Sequence, residues 1–300
     1  MRSALLSILL YLTVLLANAC DHCGCDAGSG ILPTDNRSFL SFGYRTSIFS
    51  GYRNESVNDL RLVPFTETFE RYELNAKRVW KNKWELMISI PYGRFQGTNG
   101  NFLRDDYSGI GDASIIGRVI FRSRIQCAVA HRLAIGGGVE LPTGKHGFIG
   151  HDGIVNPFQQ PGTGSWDALA QFQYTFRYND WGLLSSGTGK LNASNSLSQR
   201  LPLQYSVQAD VFRSLGSDSA MKVILRAGCL FEKSLATNYT GPADYIPMAG
   251  QGFVVAQATA EVYWKKLWLS VQYGHRLNDA PSGLPATRND RFAFNIGYMF

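Results

Sequence analysis

Three cysteines and one histidine lie within six residues near the start of the chain, in the run Cys20-Asp21-His22-Cys23-Gly24-Cys25. Thiolate and imidazole groups are the ligands that soft metal ions such as Cu(I) and Zn(II) prefer. Haem attachment needs a histidine directly after the second cysteine, and Gly24 stands at that position. Three interpretations of the run therefore stay open: a copper or zinc site, a Cys20–Cys23 disulfide or another role in the periplasm, and lipid attachment at Cys20. The metal ligands would be Cys20, His22, Cys23 and Cys25.

The residues before this run have the pattern of a secretory signal peptide. Arg2 precedes the apolar run Ala4–Leu16, and Ala17-Asn18-Ala19 has the small-x-small pattern of a cleavage site. We therefore expect residues 1–19 to be a signal peptide that is removed on export. Residues 20–36 would then form a Cys-rich N-terminal segment and linker in the periplasm.

The remaining chain has the composition of a β-protein rather than of a helical one. Of its 300 residues, 45% are hydrophobic, only 17% are charged and 31 are glycine, which suits many strands joined by glycine-containing turns. The net charge of +6 comes without a long basic run, so a nucleic-acid partner is not predicted. No later segment has the apolar run of a transmembrane helix, so an exported chain that enters a membrane must do so as a barrel.

Apolar side chains recur at every second position along most of the chain from residue 37 to residue 300. Leu40, Phe42 and Tyr44 alternate with Ser41 and Gly43, for example, which is the period of a strand with two different faces. There are about twelve such stretches of roughly ten residues, the length that a tilted strand needs to cross a bilayer. The predicted fold for residues 37–300 is therefore all-β, a transmembrane antiparallel up-and-down β-barrel of about twelve strands.

The connections between these stretches alternate between short and long. Short turns are predicted near Asn82, Ser123, Asn179, Ser217 and Lys265. The long connections include Gly51–Pro64, Pro142–Ser165 and Thr188–Arg200. Outer-membrane barrels have short turns in the periplasm and long loops outside the cell. The alternation of short and long connections therefore predicts the outer membrane of a Gram-negative-type cell as the location, with outer-membrane lipid around the barrel and the N-terminus in the periplasm.

The last strand has an aromatic or apolar side chain at every second position up to the final residue. The positions are Phe292, Phe294, Ile296, Tyr298 and Phe300. Such an ending resembles the C-terminal insertion signal by which the barrel-assembly machinery recognises outer-membrane proteins. We expect this strand to pair with the strand Leu40–Ile48, which would leave no open edge. Aromatic residues beside the short turns also predict a girdle at the periplasmic interface, formed by Trp80, Trp84, Tyr178, Trp181, Trp264 and Trp268.

The positions opposite the lipid-facing side chains carry charges of both signs. The predicted lumen-lining polar residues are Arg45, Glu85, Asp112, Arg118, Arg132, Glu140, Asp167, Arg177, Arg226, Glu261 and Arg276. They could pair across the lumen and fill it, or they could form a polar passage with a selectivity ring. The same face holds Met87, Ile116 and Leu169 among other apolar residues. These predict a route for small apolar or aromatic solutes, or the filling of a narrow barrel.

Three glycine-containing motifs resemble a known family. Gly109-Ile110-Gly111-Asp112-Ala113-Ser114 opens a strand, Gly137–Gly144 closes the next, and Gly162-Thr163-Gly164-Ser165-Trp166-Asp167 opens a third. The motifs resemble an outer-membrane barrel family named for the meta-cleavage pathway of phenol degradation, whose members are commonly labelled transporters. The resemblance covers roughly residues 105–180. It implies that the glycines and the Pro-Thr-Gly corner end a strand and begin an extracellular loop, and it implies no catalytic residue.

An enzymatic role is not predicted. Outer-membrane phospholipases use a Ser/His pair in a His-x-Ser motif, and no histidine of the predicted barrel is followed by serine at that spacing. The sequence instead favours a passive channel or transporter for small molecules that are apolar or aromatic. The alternative is a non-conducting barrel that presents the Cys/His segment to a periplasmic metal or to a partner protein.

Overall fold

The structure is a computed structural model that describes residues 37–56, 59–99, 102–125, 129–150, 153, 155–216, 221–235, 251–277 and 288–300. The predicted signal peptide and the predicted metal ligands Cys20, His22, Cys23 and Cys25 lie outside the described residues. No helix in the described part of the chain is long and apolar enough to span a membrane. The strands are β1 (Phe39–Ser56), β2 (Asp59–Trp80), β3 (Trp84–Asn99), β4 (Phe102–Ile110), β5 (Ser114–Ile125), β6 (Val129–Glu140), β7 (Asp167–Tyr178), β8 (Trp181–Asn192), β9 (Gln204–Gly216), β10 (Met221–Ser234), β11 (Gln251–Trp264), β12 (Leu267–Arg276) and β13 (Arg288–Met299).

The strands form a closed antiparallel barrel. The last strand, β13, pairs with β1 from Phe39↔Met299 to Ser50↔Arg288, and β1 continues the ring to β2. Strands β4 and β5 both pair with β3, β4 along its second half and β5 along its first half. They therefore occupy one position in the ring, and the thirteen segments make a barrel of twelve strands. The predicted up-and-down barrel and its closure by the C-terminal strand are both confirmed.

The two ends of the barrel differ in their connections. Tight turns at Lys81–Lys83, Asn179–Asp180 and Lys265–Lys266 lie at the same end as Phe300, and we call this the turn end. Lys81, Asn82, Asn179 and Lys265 have positive φ angles, as expected in hairpin turns whose twist matches that of the flanking strands. The opposite end, which we call the loop end, carries the connections 141–166 and 193–203.

The alternation predicted from the sequence separates an outer face from an inner face. The outward side chains around the barrel are apolar and exposed, as the hydrocarbon of a membrane requires. They include Leu40, Phe42, Leu74, Ile88, Ile90, Ile115, Phe121, Ile135, Val139, Phe172, Leu183, Leu191, Val207, Val211, Leu225, Leu269, Val271, Phe292 and Ile296. The exposed apolar surface forms a belt, since it involves nearly every strand of the ring.

One predicted member of the aromatic girdle was assigned to the wrong face. Trp268 has no exposed surface, whereas Leu267 and Leu269 on either side of it are exposed. Strand alternation therefore turns Trp268 into the barrel interior. The other five predicted girdle residues are exposed near the turn end: Trp80, Trp84, Tyr178, Trp181 and Trp264.

Three predicted connections are wrong because strands continue through them. The expected loop Gly51–Pro64 is largely strand, as β1 runs to Ser56 and β2 starts at Asp59. The expected turn near Ser123 falls inside β5, and the expected loop from Thr188 falls partly inside β8.

Strands β1 to β4 extend past the apolar belt at the loop end. Outward positions there carry polar groups, and Arg94 of β3 forms an exposed ion pair with Asp106 of β4, with Nη2 and Oδ2 2.8 Å apart. A strand segment beyond the hydrocarbon needs no apolar outer face. The alternation of apolar and polar residues therefore fades there, and the sequence resembles a loop.

Candidate functional site in the barrel interior

The interior at the turn end is filled by apolar side chains on one side. The strands β8 to β13 and β1 each contribute to one cluster, which we call the apolar plug: Phe39, Leu184, Phe212, Ile224, Tyr263, Trp268, Ala293 and Met299. The Phe39 and Trp268 ring centroids lie 5.9 Å apart, and neither side chain is more than 1% exposed. The indole N–H of Trp268 has no hydrogen-bond acceptor among the described residues. Trp268 therefore serves here by its bulk and not by its polar group.

The other side of the turn end holds a buried ion cluster. Glu85 of β3 accepts a hydrogen bond from Arg118 Nε at 2.9 Å and one from Arg132 Nη2 at 3.0 Å. Arg132 also donates from Nη1 to the Gln173 side-chain oxygen at 2.9 Å. The carboxylate of Glu85 has no exposed surface. One buried carboxylate therefore compensates two guanidinium groups from β5 and β6.

This cluster leads to a prediction for stability. Changing Glu85→Gln would remove the carboxylate that faces the buried guanidinium of Arg118 and also contacts Arg132. Removing one partner of a buried ion pair in this way costs about 3–5 kcal/mol. We expect the folded barrel to unfold at clearly lower denaturant concentration in detergent or liposomes, measured by the shift between folded and unfolded bands on a gel.

The exposed pair of Arg94 and Asp106 provides the matched control. Asp106→Asn also removes one carboxylate from an ion pair, but exposed pairs contribute only about 0–1 kcal/mol. Equal unfolding midpoints for Glu85→Gln and Asp106→Asn would contradict the assignment of the Glu85 cluster as a structural element.

A polar network covers the inner wall of strands β9 to β12. Arg226 Nη2 lies 2.8 Å from Glu261 Oε1, and its Nη1 lies 3.9 Å from Asp210 Oδ2. Asp210 also accepts a hydrogen bond from the Gln257 side-chain amide at 3.0 Å, and Gln257 accepts one from Gln272 at 2.7 Å. The charges on this wall are therefore paired with one another rather than presented singly to a solute.

Charged residues nearer the loop end are paired as well, in one case across the interior. Arg291 Nη1 of β13 lies 2.7 Å from Glu232 Oε2 of β10, although two strands separate them in the ring. Arg45 Nη2 lies 3.6 Å from Glu73 Oε2. The Arg276 guanidinium lies 5.6 Å from the centroid of the Phe253 ring. Pairing across the interior narrows the space that is left for a solute.

Arg177 does not join these clusters. It is half-buried at the turn end, and its Nε donates a hydrogen bond to the backbone oxygen of Asn179 at 2.7 Å. Its observed contact is thus within the β7–β8 turn.

The three motifs that carry the family resemblance meet around one carboxylate. Asp112 accepts hydrogen bonds from the backbone N–H of Gly144 at 2.8 Å and of Thr163 at 2.5 Å, and from the Thr163 hydroxyl at 2.8 Å. Gly144 and Gly162 approach each other so closely that a Cβ on either would overlap the other backbone. The side chain of Asp112 therefore ties both ends of the connection 141–166 to the end of β4.

Lys190 is a functional candidate that the sequence analysis missed. Its Nζ forms an ion pair with Glu140 and lies 3.0 Å from Asp167 Oδ2. The side chain of Lys190 is buried between strands β6, β7 and β8. The signal in the sequence was its even spacing from Leu184 and Thr188 on the inner face of β8, but the glycines around it led us to predict a loop.

The connection 141–166 packs against several parts of the barrel at the loop end. Gln159 donates a hydrogen bond to the Glu67 carboxylate of β2 at 3.3 Å, and the Phe148 ring stacks on Tyr107 of β4 with centroids 5.4 Å apart. Asn195, in the neighbouring connection, donates to the backbone oxygen of Thr163 at 3.0 Å. We call residues 141–166 the inner loop, since Phe158 within it is buried.

A cavity of about 130 Å³ lies in the barrel between the apolar plug and the inner loop. We call it the chamber. Its lining is apolar at Phe39, Met87, Ile116 and Leu169, and the inner loop adds Phe158. The polar part of the lining includes Arg71, Glu73, Asp112, Glu140, Gln171 and Lys190. A cavity of about 150 Å³ is large enough to hold benzene, so the chamber matches a small ring in size.

Metal-binding geometry is absent from the part of the chain that the structure describes. There, no group of three or more His, Cys, Asp or Glu side chains could hold a metal ion. Cys229 is a free cysteine, exposed on the outer face of β10.

Comparison with known proteins identifies the fold. No family model matches the chain, and no curated protein matches it. The chain is similar to the crystal structure of an outer-membrane channel from Pseudomonas putida F1, with 14% identity, a TM-score of 0.60 and coverage of 90% of this chain and 100% of that one. It is also similar to the β domain of the Bordetella autotransporter BrkA, with 13% identity, a TM-score of 0.52 and coverage of 88% and 100%. The transport unit of the Escherichia coli autotransporter AIDA-I matches with 10% identity, a TM-score of 0.50 and coverage of 91% and 95%. Identities this low show the fold alone: the chain is a closed barrel of the outer-membrane type.

Proposed function

We propose that this protein is an outer-membrane channel for small molecules that carry an apolar or aromatic group. The exposed apolar belt and the similarity to outer-membrane barrels support that location. The short connections at the turn end support an orientation in which this end faces the periplasm. The resemblance of the three motifs to the phenol-degradation family stays a prediction, as does soft-metal binding by the N-terminal cysteines.

The mixed lining of the chamber is the observation that carries this proposal. A purely aqueous pore would not need buried Phe39, Met87 and Ile116, and a solid apolar core would not contain buried Glu73 and Lys190. A molecule with a ring and a polar group can contact both parts of such a lining. Arg71 is paired with Glu73 and Lys190 with Glu140, while the Asp112 carboxylate is held by hydrogen bonds from the inner loop. The lining therefore favours neutral or zwitterionic solutes over a single sign of charge.

The apolar plug supports selection against ions and very polar solutes. A hydrophobic constriction excludes water and therefore blocks ions. The aromatic ring of a solute, in contrast, can contact the plug side chains in place of their contacts with one another. In this proposal the apolar side chains at the turn end determine which solutes pass through the barrel, and the polar wall orients the solute inside the chamber. The strand Phe292–Phe300 is proposed to serve insertion by the barrel-assembly machinery, and Phe292, Phe294, Ile296, Tyr298 and Phe300 carry no role in passage.

Liposome swelling with matched zwitterions tests the proposal. Phenylalanine and asparagine both carry zero net charge near neutral pH, and phenylalanine is the larger of the two. We expect liposomes with the full barrel to swell faster in phenylalanine than in asparagine, and liposomes without protein to show no such difference.

The possible outcomes separate three kinds of barrel. A faster rate for asparagine would indicate an ordinary size-sorting pore and would contradict the proposal. No swelling with either solute, from a barrel that migrates as folded on a gel, would also contradict it and would favour a non-conducting barrel.

A further inference from the structure

The turn end carries a ring of exposed basic side chains. We call these six residues the basic rim: Arg78, Lys81, Lys83, Arg213, Lys265 and Lys266. None of the six has a carboxylate partner among the residues that the structure describes. At this end, Asp180 is the one exposed carboxylate side chain in the described ranges. The rim is therefore a strongly positive surface whose charge the described protein does not balance.

The loop end has a different distribution of charge. There the exposed guanidinium of Arg94 is balanced by Asp106, with 2.8 Å between their atoms, and His275 lies 2.7 Å from Asp290. Arg94 thus has a carboxylate partner, which none of the six rim cations has among the described residues.

The position of the rim cations relative to the girdle indicates what they bind. Arg213 lies 5.3 Å from the centroid of the Trp181 ring, and Lys265 lies 5.3 Å from that of Trp264. Arg78 lies 5.7 Å from the Phe300 ring, and Lys266 lies 5.7 Å from the Tyr298 ring. Exposed aromatic rings at the end of a membrane barrel settle at the level of the lipid headgroups. Cations held against these rings therefore lie at the depth of the lipid phosphates.

We infer that the basic rim is a binding site for anionic phospholipid headgroups in the leaflet that surrounds the turn end. Lys81 and Lys83 lie in the turn between Trp80 and Trp84, and all four side chains are exposed, so exposed cations and rings are also sequence neighbours at a second place on the rim. Basic side chains near an anionic membrane surface attract it additively and over a short range. The inference rests on the proposed membrane location and not on conduction, so a barrel that conducts nothing would still be expected to bind these lipids.

Lipid retention by the purified full chain tests this inference. The barrel in a nonionic detergent is mixed with equal amounts of phosphatidylglycerol and phosphatidylcholine with the same acyl chains, and the lipids that remain bound after size exclusion are counted by mass spectrometry. We expect wild type to retain phosphatidylglycerol in clear excess, and the excess to decline at high salt. In Lys265→Gln/Lys266→Gln the ratio of the two lipids should fall, by roughly fivefold for each lysine if both contribute fully.

Two comparisons make the test specific. Arg94→Gln/Arg200→Gln removes two exposed positive charges from the loop end and should leave the lipid ratio unchanged. Adding Lys81→Gln/Lys83→Gln to the first pair should lower the ratio further. The lipid ratio is measured only for variants that migrate as a folded barrel. If the fourfold variant does not fold, the comparison is made between wild type and the two double variants.

Other results would overturn the inference. Wild type that retains both lipids equally has no anionic-lipid site, and binding of polyglutamate in that case would assign the rim to an acidic protein partner. An unchanged ratio in both rim variants would mean that the retained lipid sits elsewhere on the barrel.

Discussion

Trp268→Ala is expected to raise the ion conductance of single barrels in a planar bilayer several-fold. The indole of Trp268 is fully buried in the apolar plug, 5.9 Å from the Phe39 ring, and its N–H has no acceptor among the described residues. Its removal leaves a space that the surrounding side chains fill only partly. Because a hydrophobic constriction blocks ions by excluding water, a wider constriction admits water and therefore ions.

Controls separate the barrier from general damage to the barrel. Trp264→Ala removes an indole at the same end from the outer face, where it is exposed, and should leave conductance unchanged. Trp268→Phe keeps most of the bulk and should stay near the wild-type conductance. A truncation of this size in a core costs about 3–5 kcal/mol of stability, so conductance is compared only between single inserted channels. If Trp268→Ala conducts like wild type, the plug is not the barrier to ions.

The second large effect is expected at the inner loop. Asp112→Ala removes three hydrogen-bond acceptor contacts that bind Gly144 and Thr163, the two ends of this loop. A hydrogen bond to a charged group is worth about 1.5–3 kcal/mol, and about 1.4 kcal/mol is tenfold in an equilibrium. We therefore expect the loop to open at least about ten times more often than in wild type.

Limited proteolysis measures this opening. Trypsin can cut after Lys145, whose backbone N–H is held by the Ile110 oxygen at 2.8 Å in the closed loop. Cleavage that follows the population of the open form should become at least about tenfold faster in Asp112→Ala, and the fragment masses identify the cut site. Asp106→Ala removes a carboxylate from the exposed face of β4 and should not change the rate. Equal cleavage at Lys145 in wild type and Asp112→Ala would show that other contacts hold the loop.

Alternation along the strands allowed most of the inner and outer faces to be predicted from the sequence. At Trp268, nearness to a turn and position in the strand alternation predict different locations for the side chain. Its nearness to a turn suggested the girdle, whereas its position between the exposed Leu267 and Leu269 places it inside. The position on the strand decides the side because successive residues must point to opposite faces.

The sequence was misleading where glycines serve packing and not turns. The run containing Gly187 and Gly189 led to the prediction of a loop from Thr188, yet β8 continues to Asn192. Gly187 lies directly across from Phe172, and a side chain at that glycine would overlap the phenylalanine ring. A glycine beside a cross-strand aromatic residue thus belongs to the sheet, and this is visible only once the register is known.

The ion-pair partners could not be predicted in the same way. Strand alternation predicted that charged side chains point inward, but it did not predict which of them pair. Arg291 pairs with Glu232 although their strands are not neighbours in the barrel. Such a contact depends on how wide the closed barrel is and on how its strands are staggered. Neither quantity is encoded in the spacing of the residues along one strand.

The contact between Phe39 and Met299 has a consequence for biogenesis. These residues are register partners across the β1–β13 seam, and the backbone N–H of Phe300 donates to the Ser38 oxygen at 3.0 Å beside them. The pairing of β1 with β13, which closes the barrel, therefore also positions Phe39 and Met299, two side chains of the apolar plug. A newly made copy would therefore carry its barrier to ions from the moment the barrel closes, so the envelope could accumulate many copies without leaking ions.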